Sequence, residues 1–418
     1  MKRWIPAWAV AVLLVAAAPL SLAAEDDAAD IERLPEIFYT PDTLMTMRID
    51  LASITGDMLK KTMRGVFNDT GWKLLQEDEF GAGLMQLFMA VADEYDKVIR
   101  VPFEGAGGSS IWIVMMSSGG EADNRLYMLI RLGRGLGIKP PENIDEWVAT
   151  DEGKASVEKL TAWAKSLDPS KQLMGTDRKE GEPNPTDFRQ VRRVGEYLVC
   201  TSPGTPLPSA DQFDPTALIA FTQAMHIGSR QKLAFALFPH KRWRDGIVED
   251  LKKAQEEVDE KKAEGKTAGM GDVLTAKMMI HVLDQSHWIA GWVRADDEPS
   301  AAIVVRAKTE QAAGAIKSQF DTAIAATYAL AMYYDSKEEL ANFLSGGRKK
   351  EAETSYMEFA RKMIGALGVT QKGPLIGLVL ETREIQDMTL VGMQWEAKQE
   401  KLREEQKEEN KRESEKRR

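Results

Sequence analysis

Cysteine is nearly absent: Cys200 stands alone in 418 residues. No internal disulfide can form, so stability has to come from the core. A catalytic thiol needs a histidine base beside it, and none of the four histidines lies near Cys200 in sequence. Cys200 therefore reads as a small apolar residue in the strand YLVCTS. Long apolar runs are missing beyond the first 25 residues, which leaves nothing later in the chain to span a bilayer. A positive surplus is missing too. The net charge is −10, and neither the basic start nor the near-neutral tail supplies it, so the acid lies in the body. Such a body repels phosphate backbones, which argues against nucleic acid as a partner. There is no G-x-S-x-G, no P-loop and no kinase motif set.

What the chain does have begins at its start. MKRWIPAWAVAVLLVAAAPLSLAA opens on Lys2 and Arg3, runs apolar to about Ala18, and reaches small residues at Ser21 and Ala23. This is the layout of a secretory signal peptide cleaved after Ala23, so residues 1–23 are expected to be removed and the protein exported, to the periplasm or beyond. The h-region is short for a span, and no cysteine follows it to carry a lipid. No integral membrane segment is expected once the signal is gone.

Residues 24–40 are polar at first and read as a linker. TLMTMRIDL then alternates, with Leu44, Thr46 and Arg48 on one side and Met45, Met47 and Ile49 on the other, which predicts a strand. Helices are predicted over 53–67 and 73–99, and a hairpin from IWIVMM and RLYMLIRL. A helix over 152–167 follows, then the hairpin RQVRRVGEYLVCTS, turned at Gly195-Glu196. Four prolines in 203–215 mark a linker between units 41–202 and 216–395. The second unit repeats the order: a short helix at 216–226, strand KLAFALF, a helical crossover over 241–285, the hairpin HWIAGWVRA/AAIVVRA, and a helix from a cap at Thr309. A helix over 351–366 and a strand PLIGLVLE come next, with a further strand expected at TLVGMQW, 389–395. Each central hairpin carries a Trp in its first strand (Trp112; Trp288 or Trp292) and an Arg near the end of its second (Arg131; Arg306). Residues 396–418 form a charged tail with nearly balanced signs and no a/d apolar repeat.

The expected fold is α+β: two tandem ferredoxin-like split β-α-β units with long helical crossovers and antiparallel sheets. On the segments GWVRADDEPSAAIVVRAKTEQAA and VGEYLVCTS, and on this layout over about 41–395, the chain resembles uncharacterised exported bacterial proteins built from two such units. The resemblance implies the fold and carries no catalytic residue with it.

Chemistry-bearing clusters are few. His281, Asp284 and His287 form H-x2-D-x2-H, a donor set suited to zinc. On one helix the third residue is turned about 240° from the first, so convergence requires the helix to end near Asp284 and His287 to enter on a strand. The competing reading is helix-end capping. Asp296-Asp297-Glu298 lacks EF-hand spacing and reads as a turn. LGRGLG at 132–137 follows a strand but leads to Pro140-Pro141 rather than a helix, so it offers phosphate no dipole. Asn68-Asp69-Thr70 is a glycosylation sequon, relevant in a eukaryotic host alone. Met45/Met47 and Met85/Met89 have copper(I) spacings yet lie on apolar faces, where Met fills gaps. The tryptophans, which would suit sugar stacking, fall mostly in amphipathic patterns.

The expectation is an exported, non-catalytic binding or envelope-associated protein, whose partner is another protein or an envelope component. The alternatives are a metal-dependent hydrolase using His281, Asp284 and His287 with zinc, and an assembly module. No other cofactor is expected. The assembly reading requires a large exposed apolar patch and a dimer.

Overall fold

The structure is a computed structural model, and it describes residues 32–77, 79–117, 125–132, 144–166, 188, 190–228, 231–241, 243–245, 249, 281–296, 298–322, 368–390 and 393. The signal, most of the 241–285 crossover, the 351–366 helix, the glycines of LGRGLG and the tail lie outside them.

The strands form one antiparallel ten-stranded sheet in the order β4-β5-β3-β2-β1-β6-β7-β8-β10-β9. The first half supplies β1 (Thr43–Ile49), β2 (Gly108–Met116), β3 (Arg125–Leu132), β4 (Gln190–Val194) and β5 (Tyr197–Thr201). The second supplies β6 (Leu233–Leu237), β7 (Ser286–Arg294), β8 (Ser300–Ala307), β9 (Gly368–Lys372) and β10 (Leu375–Leu380). Both halves run first-second-third-fifth-fourth from the centre outward. They meet where β1 pairs with β6, Met47 facing Phe235. The α+β class and antiparallel pairing match expectation. The two units share a single sheet, and β1 lies directly beside β2, whereas a split unit sets a third strand between its first two.

Local chemistry accounts for the turns. β4 and β5 are joined by Gly195-Glu196, with Gly195 at φ +57°; β9 and β10 are joined by Gly373-Pro374, with Gly373 at φ +57°. Left-handed backbone at the first turn position strains any residue with a Cβ, so glycine stands there in both hairpins.

Helices cover both faces. The first crossover holds α1 (Gly56–Gly65), α2 (Asp69–Glu77), α3 (Glu79–Tyr95), a π-helical stretch (Asp96–Arg100) and α4 (Val101–Gly105). α5 (Ile144–Ala149) and α6 (Asp151–Ser166) follow, and α7 (Pro215–Ile227) opens the second half on an Asp214 cap. α8 spans 310–322; Thr309 Oγ1 accepts from the Ala312 amide at 3.0 Å, which is the expected cap. α9 spans 382–390. It replaces the strand expected from 389. Glu384 accepts from the Glu381 amide at the helix start, and Ile385 and Met388 are buried at helical spacing. No helix among the described residues is long and apolar enough to cross a membrane.

One core cluster bridges both halves. Trp112, Tyr127, Tyr197, Ala234, Trp288 and Trp292 on one sheet face pack with Phe38, Tyr39 and α7's Phe221 and Met225. On the other face, α4 and α6 cover the first half through Phe103 and Leu160, and α8 covers the second through Ala313 and Ile316. Cys200 is fully buried in the first of these clusters, as the strand reading required.

Of the 24–40 segment, residues 32–40 are described, and they are packed rather than free. Leu34, Phe38, Tyr39 and Thr40 are buried. Residues 32–40 form a strap across the sheet, because aliphatic and aromatic side chains packed this densely bury more than they expose.

Candidate functional site

Every strand near the centre of the first half alternates, so every second residue points at the strap. Four such strands each bring polar groups: Arg48 from β1, Ser110 and Trp112 from β2, Arg131 from β3 and Tyr197 from β5. Arg48 faces Trp112, and Arg131 faces Tyr197, across their strand pairs. The groups converge on Glu32, whose side chain is 6% exposed. Its Oε1 accepts from Ser110 Oγ, from Trp112 Nε1 at 2.9 Å and from the Tyr197 hydroxyl at 3.4 Å. Its Oε2 accepts from Arg48 Nε at 3.0 Å and lies 3.6 Å from the Arg131 guanidinium. Arg131 also holds Glu196 at 3.0 Å. Two acids, the buried Glu32 and the partly exposed Glu196, match the two arginines.

The strap is tied down again just after Glu32. Tyr197 donates to the Arg33 carbonyl at 2.6 Å, and Tyr39 accepts from the Leu34 amide at 2.8 Å. Phe38 stacks edge-on against Tyr127, their centroids 5.3 Å apart.

Burial alone would raise the Glu32 pKa. The Ser110 hydrogen bond, Arg131, the Trp112 hydrogen bond and Arg48 outweigh it and hold the carboxyl below the usual glutamate value. Desolvation pushes the Tyr197 hydroxyl far above the usual phenol range. Desolvation likewise takes the Cys200 thiol up to about 12.

Beside this cluster lies an open cleft of about 220 Å³, lined chiefly by Glu32, Arg48, Asp50, Ser53, Ser109 and Ser110. Its wall is hydroxyl-rich and carries two carboxylates against one guanidinium. The volume suits a ligand smaller than a drug-sized molecule.

The sequence-predicted donors behave differently. His281 and Asp284 fall on a helical turn over 281–285, and His287 enters on β7, the chain path that convergence required. Among the described residues, however, no three His, Cys, Asp or Glu side chains come together as a metal-holding group. The surroundings are cationic. Arg244 and Lys308 both donate to the Asp284 carbonyl, and Arg244 Nε lies 3.9 Å from its carboxylate. Burial first, then Arg306 and Lys308, lower the His287 pKa. In this arrangement His281, Asp284 and His287 do not form a three-ligand group for zinc. At the β7–β8 turn, Asp296 accepts from the Glu298 amide and both acids pair with Arg294, as an ordinary turn does.

Sequence reasoning passed over Glu32. A signal was present: Arg48 and Arg131 sit at inward positions of otherwise apolar strands, and an inward arginine needs an acid.

No protein-family model, no curated protein and no solved structure matches the chain. The functional reading therefore rests on this geometry.

Proposed function

We propose that this is an exported protein that works by binding rather than by catalysis, taking a small polar ligand in the cleft at Glu32 and Arg48 while associated with the cell envelope. The observation that carries the reading is the convergence of Glu32, Arg48, Asp50 and three serines on one open cleft. Chemistry favours binding. A general base is most effective with a pKa near the working pH, and Glu32 is held low. Ser110, bonded to so weak a base, is a poor nucleophile.

The test is thermal unfolding of the mature chain with glycerol, glucose, glycine or glutamate as separate probes. A bound ligand at 100 times its Kd adds about 2.7 kcal/mol. At least one probe should raise the midpoint, and Ser53→Trp, which fills the cleft, should abolish the response. A response that survives Ser53→Trp, or none from any probe, defeats the reading. Export is checked separately: mature protein recovered from a bacterial periplasm should begin at Ala24.

The halves are proposed to be copies of one five-stranded unit. Its order along the chain is that of a split β-α-β unit with an added strand; its order in the sheet is its own.

One observation favours the assembly reading as a second possibility. Leu87, Val91, Val98 and Val101 are 52–62% exposed on the outer side of α3, the π-stretch and α4. Glu94 and Lys97, paired at 2.9 Å, lie between the two apolar pairs. A second copy laid antiparallel would meet each charge with its opposite. Sedimentation should then show a dimer that Val98→Glu disperses; a monomer for the unmodified chain rejects it.

A further inference from the structure

The shared strand order lets each position in one half be compared with its counterpart in the other. Arg131 lies at the end of β3, facing Tyr197, the first residue after the Gly195-Glu196 turn. Arg306 lies at the end of β8, facing Leu375, the first residue after the Gly373-Pro374 turn. They occupy the same place in their units. In the first half, the strand next to Arg131 offers the Ser110 hydroxyl and the Trp112 indole N–H, and a carboxylate accepts both. In the second half, the strand next to Arg306 places Trp288 directly opposite it, on the same sheet face. Trp288 is 2% exposed, and among the described residues its Nε1 has no acceptor. A buried N–H without a partner carries the full desolvation penalty of that group, so it calls for an explanation.

The charge balance differs between the halves in the same direction. Arg131 has Glu32 and Glu196. Among the described residues Arg306 has no such acid: its counterpart to Glu196 is Pro374. Lys308 and Arg244 add positive charge nearby, and both contact the half-exposed Asp284.

We propose that Trp288 and Arg306 form a carboxylate-binding site, the counterpart of the one that Glu32 fills in the first half. The indole N–H and the guanidinium are the donors, and the acid comes from outside the unit. A free small carboxylate and an acidic side chain on a polypeptide segment share the required chemistry.

The full mature chain, labelled with ¹⁵N at tryptophan indoles, tests this. The Trp288 signal is assigned by its loss in Trp288→Phe. Sodium propionate, the glutamate side chain without its backbone, is titrated against matched sodium chloride. The Trp288 resonance should shift and saturate with propionate and not with chloride, while Trp112, already bonded to Glu32, stays put. Arg306→Met should weaken the response at least tenfold with the other indole signals unchanged; Arg306→Gln replaces it if that variant does not fold. A peptide of residues 30–36 separates the sources. Binding at least tenfold tighter than propionate identifies a polypeptide segment, and equal or weaker binding identifies a free carboxylate. A Trp288 signal that ignores propionate, or moves equally in the Arg306 variant, overturns the proposal.

Discussion

Removing the Glu32 carboxylate should cost more stability than any other change in the strap. Glu32→Ala leaves Arg48 and Arg131, 16% and 13% exposed at their side chains, without their shared acid. It also strands the Ser110 and Trp112 donors, while Tyr197 keeps the Arg33 carbonyl at 2.6 Å. Breaking a buried ion pair from one side costs about 3–5 kcal/mol. The lower end applies, since Arg131 keeps Glu196 at 3.0 Å and Arg48 keeps the Gln231 carbonyl at 3.4 Å. About 3 kcal/mol corresponds to roughly 1 M in the urea midpoint for a slope near 3 kcal/mol/M. Glu32→Gln keeps one oxygen for Ser110 and Trp112 but turns an amide N–H₂ towards Arg48, so it should cost less, about 1–2 kcal/mol. The pH dependence has a definite sign. The folded pKa of Glu32 lies below its unfolded value of roughly 4.3, so its contribution is complete above that value and is lost as pH falls through the folded pKa. Wild type and Glu32→Gln should therefore differ at pH 7 and converge in acid. Tryptophan fluorescence in urea at several pH values reads both effects. An alanine variant within 0.5 kcal/mol of wild type, or a glutamine gap that persists into acid, would refute the anchoring argument.

Other outcomes follow from single positions. Cys200, buried with its thiol at about 12, should resist maleimide for hours at pH 8 and react at once in denaturant. Gly291→Ala should lower stability by about 1–3 kcal/mol, because a Cβ there meets the Phe235 ring at 2.5 Å and the Ala302 carbonyl at 2.6 Å. Chemical denaturation measures it, and no loss would mean that the β7–β8 backbone gives way. Gly195→Ala and Gly373→Ala should each cost about 1–2 kcal/mol through left-handed backbone strain, in equal measure if the two hairpins are equivalent.

Much of the sheet was legible because its signals are local. Period-two alternation placed β1, apolar runs flanked by turn residues placed β3, β7 and β8, and Gly195 and Thr309 marked a turn and a helix start that the structure keeps. Trp288, Ala290 and Trp292 share the core-facing side of β7, as the pleat dictates. What was not legible depends on distant partners. Nothing near Met47 says that it will face Phe235 from the other half. Glu32 looked like linker because the stretch before it, EDDAAD, is polar and acidic, and its meaning comes from arginines on strands elsewhere. The segment from Thr389 has strand-like residues, yet the helix from 382 carries through its first two, where buried Ile385 and Met388 settle the period. For His281, Asp284 and His287 the spacing was legible, while their surroundings, Arg244, Arg306 and Lys308, were invisible in the motif.

The β1–β6 seam has a consequence for how the molecule is made. Synthesis runs from the N-terminus, so the first five strands exist before β6 does. In that interval β1 is an edge, with one row of its backbone amides and carbonyls unsatisfied. Another nascent chain presents the same edge, and β1 against β1 would imitate the finished seam. The completed sheet buries this risk at its centre and leaves β4 and β9 outermost. Both are five-residue strands, and β4 carries Arg192 and Arg193 outward, charges that discourage further pairing. The second half thus acts as the first half's built-in capping partner.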